Sequence, residues 1–228
     1  MNVDWPWPWL ARNVDDIADA TVEHIYLALL PVLAGLLISL PLGWAASRWG
    51  LARGILVPLA GVLYTIPSLA LITLVPLMLG TRIIDPLNVQ VPLAIYTIAL
   101  LVRSVTDALR AVPGEVTAAA TAVGYRPFRR FLTVELPLAI PVIIAGLRVA
   151  VVSAMSLASV GALIGIGGLG GLITEGFKRN NAVEMVVAIA LIVVIALIVD
   201  ALLLLAGKMI TPWTRARTDT RRETGAKA

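Results

Sequence analysis

Four stretches of this chain, residues 25–46, 55–79, 136–164 and 185–206, are apolar runs long enough to cross ~30 Å of hydrocarbon as helices rising ~1.5 Å per residue. A fifth run, 91–109, carries Arg103, Asp107 and Arg110 towards its end, and it too must cross if the intervening loops are to fall on consistent sides. The expected fold class is therefore all-α: a polytopic membrane protein of about five transmembrane helices. With 59% hydrophobic residues, 14% charged and a mean hydropathy of +0.93, water cannot be the main solvent. Three divisions follow: an interfacial segment at 1–24, a transmembrane domain at 25–207, and a basic tail at 208–228.

The charges set an orientation. Arg48 and Arg53 lie between the first two runs, arginines crowd the loop at 110–130, and the tail holds Lys208 to Lys227, so these segments are expected in the cytoplasm. The N-terminal segment, with Asp4, Asp15, Asp16, Asp19 and Glu23 against Arg12, is expected outside, together with the 80–90 and 165–184 connections. It lacks the basic flank and cleavage site of a signal peptide. Its Trp5, Trp7 and Trp9 read as an interfacial anchor that stays attached. The basic loops and tail account for the net charge of +4, which leaves a nucleic-acid partner without support.

Chemistry is sparse. Cysteine is absent and His24 is the lone histidine, so no disulfide, thiolate centre or metal site is expected. No serine–histidine–carboxylate set, paired carboxylates or phosphate-binding loop occurs, so no catalytic residue is assigned and the chain is not itself an ATPase. Gly165-x-Gly167-x-x-Gly170 has the letters of a dinucleotide fingerprint, but no strand precedes it, and a glycine-rich bend at the outer face is the better reading. Arg148 falls about 18 Å along a helix from Leu136, so it needs an acidic partner, and Asp200 in the last run is the candidate for a structural ion pair. Arg103 and Asp107, four apart, are expected to form a local pair.

The polar break PGEVTAAATAVGYRPFRRFLTVELP, 113–137, is the segment most specific for function. Residues 115–123 are alanine-rich and should form a short helix ended by Gly124. Pro127 restarts the chain, Arg126, Arg129 and Arg130 add charge, and Leu136-Pro137 opens the return to the membrane. Ala119-Ala120, three residues, Gly124, nine residues, then Val134-Glu135-Leu136-Pro137 resembles the Glu-Ala-Ala loop of permease subunits in binding-protein-dependent ABC importers. The resemblance departs at Ala118, where the family has Glu, and at Val134, where Ile is usual. Glu115, one turn earlier, offers a carboxylate about 60° off the same face.

The resemblance implies a type I importer permease whose coupling helix seats in a groove of a cytoplasmic ATPase. It implies two ATPase copies that bind the ATP and magnesium, an extracytoplasmic substrate-binding protein, and a second permease, identical or related, in a prokaryotic plasma membrane. AVGYRPFRRFLTVELPLAIPVIIAGLRVA, LYTIPSLAL and IGIGGLGGLI look like the osmoprotectant branch, which carries glycine betaine, carnitine, choline or proline. Methionine-type permeases share the Gly-Gly-Leu-Gly segment and the Leu-Pro ending, and an amino-acid permease is the alternative.

Within the spans, Pro58, Pro67 and Pro76 should kink the second run. The kinked stretch, with Tyr64, Thr65, Pro67 and Ser68, is either a bent core helix or part of the translocation path, and the resemblance favours the path. Ser153, Ser156 and Ser159, three apart, read as a helix-packing stripe or as path lining. Tyr64, Tyr96 and Trp44 are the chief aromatics of the spans, too few for a cation cage, which assigns selection to the binding protein. An ATP-independent channel or scaffold, the reading from another class, would have no use for the 113–137 loop.

Overall fold

The computed structural model describes residues 7–213, and the secondary structure there is helical throughout, with no strand among the described residues. A short α1 (Trp7–Arg12) precedes α2 (Val14–Arg48), which begins well before the apolar run at 25. Asp15 and Asp16 occupy its first turn, where carboxylates favour the positive helix end, so the acidic segment extends the helix rather than standing apart from it. Trp5, and the tail beyond 213, lie outside the described residues.

The second run is not one kinked helix. α3 (Gly50–Thr65) and α4 (Ser68–Leu79) meet at 101°, with the break at Ile66-Pro67. Pro58 and Pro76 stay inside helices, and only Pro67 sits at the break, its φ of −60° and ψ of 133° leading into α4. Tyr96 donates from its hydroxyl to the Ile66 carbonyl at 2.5 Å, satisfying a backbone group that the break frees. Gly80, at φ 67°, ends α4.

α5 (Leu87–Arg110) is the central helix. Small residues let α2 approach it: a Cβ on Gly35 would stand 2.5 Å from Thr97, and one on Gly43 2.5 Å from Val105. Both residue numbers rise together, so α2 and α5 run parallel, and the chain between Arg48 and Leu87 has to return across the bundle. The bent pair α3–α4 makes that return, which gives the fifth crossing. α8 (Leu136–Ala158) runs antiparallel to α5, with Gly146 against Ser104 and Ser153 near Thr97. α10 (Ala182–Ile210) runs antiparallel to α8, with Gly207 against Ile144 and Asp200 on Arg148. The two ends of the described chain therefore lie on opposite faces of the bundle.

One end of the bundle carries α6 (Gly114–Ala122) and α7 (Pro127–Arg130), followed by a π-helical turn at Phe131–Glu135. The other carries a 3₁₀ turn at Ser159–Ile164 and α9 (Gly168–Lys178). The glycine-rich segment between them is a bend: Gly165 and Gly168 have φ of 87° and 49°, and a Cβ on Gly168 would meet His24 at 2.9 Å. Glu23 of α2 accepts from the Gly168 N–H at 3.0 Å, capping α9 from another element. The main core joins Leu27, Ile72, Leu93, Val151 and Met155, while α10 exposes Val193, Leu197 and Leu202 as an apolar outer face.

Candidate functional site

The polar break folds as a projecting unit. Every residue of α6 is exposed or half-buried, because small side chains at 118–120 and 122 leave nothing to bury. Gly124 ends the helix at φ 94°, with its N–H on the Thr121 carbonyl at 3.0 Å and the Tyr125 N–H on the Ala120 carbonyl at 3.1 Å. That is the paired C-terminal hydrogen bonding a glycine supports, and it fixes the direction in which the chain leaves α6. Glu115, Ala119, Arg126, Arg129, Val123 and Phe128 are exposed, Ala120 half-buried, and Arg129 lies 5.1 Å over the Tyr125 ring. Exposed Val123 at the end of α6 and Phe128 in α7, amid arginines, make an amphipathic surface across the α6–α7 unit.

This surface is tied to the spans through Glu135, a residue that sequence reasoning passed over. Glu135 is 3% exposed, and Oε1 accepts from Arg48 Nη2 at 2.5 Å and from Arg130 Nε at 2.7 Å. Arg130 Nη1 continues to Thr121 Oγ1 of α6 at 2.5 Å. One carboxylate thus joins the end of α2 and the start of α8, and through Arg130 reaches the projecting α6. The π-helical turn brings Glu135 under the arginines, with Phe131 packed beside Trp44 at 5.4 Å. The available signal was that Glu135 is the single acidic residue between Glu115 and Glu175, set among arginines. Leu136 packs partly into the neighbouring core, and Pro137 sits in the first turn of α8, where its missing N–H costs nothing.

Arg148 and Asp200 meet as a bidentate pair, Nε to Oδ1 at 2.6 Å and Nη2 to Oδ2 at 2.7 Å, joining α8 to α10. Arg103 and Asp107 do not: both are exposed, and among the described residues neither makes an ion pair. An acid N-terminal to a base is the favourable order at this spacing; the reverse order here gains little, so the expected local pair does not close.

The path candidates divide. Tyr64 and Ser153 line a narrow pocket with Tyr96, Thr97 and Leu100, whose free space of ≈ 10 Å³ is room for about one water. Tyr64 and Tyr96 pack edge to face at 5.8 Å. Thr65 is exposed and donates to the Val62 carbonyl, while Pro67 and Ser68 form the break and the start of α4. Ser156 and Ser159 instead line an apolar groove of ≈ 340 Å³ between α8, α9 and α10. A three-residue step rotates by about 60°, so the three serines spiral off one face and cannot share a wall.

A broken span beside a central helix, five crossings and a projecting short helix define the permease fold of type I importers. Residues 32–215 match the family "Binding-protein-dependent transport system inner membrane component", and the chain belongs to that family of membrane transport subunits. The osmoprotectant import permease protein OsmW of Salmonella typhimurium is 32% identical over 183 residues, 79% of this chain and 84% of the relative. The choline transport system permease protein OpuBB of Bacillus subtilis is 28% identical over 204 residues, 90% of this chain and 93% of its own. The ergothioneine transport permease/ergothioneine binding protein EgtU of Helicobacter pylori is 43% identical over 135 residues, 59% of this chain and 24% of that larger protein. In fold, the inward-facing MetNI methionine ABC transporter matches with a TM-score of 0.72 at 23% identity, over 92% of this chain and 98% of that one.

Proposed function

We propose that this chain is the membrane-spanning permease of an ATP-driven importer for osmoprotectants. The observation that carries this reading is near full-length likeness to permeases named for choline, for glycine betaine, carnitine and choline, and for osmoprotectants in general. α6 docks in a separate ATPase that supplies the ATP and magnesium chemistry, and a binding protein delivers the solute from the opposite face. The α6 end is cytoplasmic, as the arginines of that end favour, so the N-terminus lies outside and the C-terminus inside a prokaryotic inner membrane. A second permease, identical or related, completes the path. When the ATPases close, α6 moves as a body, and Arg130, Glu135 and Arg48 carry that motion into α8 and α2.

The likeness to an ergothioneine permease supports a second reading of the cargo, although carnitine, glycine betaine and ergothioneine share a trimethylammonium group and a carboxylate. Co-expression with its ATPase and binding protein, followed by uptake of labelled glycine betaine, choline and ergothioneine, tests both. Recovery of the ATPase with the permease and ATP-dependent uptake are expected; a chain purified alone that conducts ions would overturn the proposal. Gly124→Val, which forces a branched side chain to φ 94°, should abolish uptake with membrane insertion intact.

A further inference from the structure

Arg103 and Asp107 are charges in an apolar bundle with no ion-pair partner among the described residues, and their depth makes that informative. Ser104, beside Arg103, packs against Gly146, where a Cβ would stand 2.8 Å from it. Gly146 lies about 15 Å along α8 from Leu136, so Arg103 sits near the middle of a ~30 Å hydrocarbon layer, with Asp107 one turn closer to the α6 end. Charges at that depth face a protein interior or water, not lipid. Arg148, at similar depth, is answered by Asp200; Arg103 and Asp107 are answered by nothing among the described residues. They continue one stripe of α5: Tyr96, Leu100, Arg103, Asp107 and Arg110 recur at intervals of four, three, four and three, the spacing of a single helical face. Tyr96 and Leu100 on that stripe line the pocket shared with Tyr64 and Ser153. α5 packs against α2, α3, α4 and α8, and Tyr96 at the head of the stripe is buried against the α3–α4 break, whereas Arg103, Asp107 and Arg110 are exposed.

We propose that the Tyr96–Arg110 stripe is the wet wall of the path between the pocket and the α6 end, and that Arg103 and Asp107 together receive a zwitterionic solute there. The guanidinium takes the carboxylate and the aspartate faces the quaternary ammonium, a pairing of both signs that suits a betaine and disfavours a bare cation such as choline. Because the two side chains do not pair with each other, both remain available to the solute. This inference rests on the importer reading above, and it adds a solute-contacting pair within the membrane.

The absence of cysteine makes the test direct. In the assembled importer, Arg103→Cys and Asp107→Cys should react with a membrane-impermeant cationic thiol reagent from the α6 side, while Leu202→Cys on the apolar face of α10 should not. Arg103→Gln should lower glycine betaine uptake about tenfold, the loss of one charge-assisted hydrogen bond, with choline uptake changed much less and Arg103→Lys restoring part of the difference. Asp107→Asn should weaken both solutes. Cysteines that do not react, an equal loss of both solutes in Arg103→Gln, or a disulfide between two copies at Asp107→Cys without reagent access would each overturn the inference. A wild-type complex that imports neither solute would count against the importer reading instead.

Discussion

At the scale of single residues, the chain's polar chemistry is concentrated in a few buried or membrane-depth charges. Glu135 answers two arginines with one oxygen, so Glu135→Gln keeps the shape and removes the charge that both require. It should lower stability by about 2–3 kcal/mol, read as a drop in the unfolding midpoint of the purified importer, and uncouple ATP hydrolysis from uptake. Arg148 and Asp200 form a closed pair, so Arg148→Ala and Asp200→Ala should cost about as much together as either does alone. Additive losses in a double-mutant cycle would mean that the pair contributes through its separate packing contacts.

At the scale of elements, the helices are separated by what glycine permits. Gly43 lets α2 lie on Val105 and Thr106, and a larger residue has to push the central helix away. Gly43→Val should cost about 1–3 kcal/mol and lower the yield of folded protein, whereas Gly61→Ala in the interior of α3, with nothing within 4 Å, should be neutral or stabilising by about 0.5–1 kcal/mol. Thermal unfolding in one detergent compares the two. The polar break was readable at this scale: an alanine-rich helix with a glycine stop is a local instruction, and α6 follows it to within a residue. The serine stripe was not, because i, i+3 spacing names neighbours on a helix without saying which cavity each one faces.

At the scale of the whole molecule, the parallel run of α2 beside α5 requires the bent α3–α4 pair to cross. Single cysteines at Leu51, Ile84 and Val123, all exposed, report this. An impermeant reagent should reach Leu51→Cys and Val123→Cys from one side of the membrane and Ile84→Cys from the other. Labelling of positions 51 and 84 from the same side would make the bent pair a re-entrant loop.

The apolar runs by themselves determined an all-helical membrane protein, because a backbone in hydrocarbon must satisfy its own hydrogen bonds, and that demand is met within each segment. The polar break likewise located α6, whose form depends on residues within one or two turns of each other. Tertiary structure alone decided that the second run breaks at Pro67 and not at Pro58 or Pro76. It decided that Glu135 gathers Arg48 from 87 positions away, and that Arg103 and Asp107 stay exposed without pairing with each other. Each of those outcomes depends on which helices lie side by side, and the energy of a contact between distant segments leaves no local pattern in the chain.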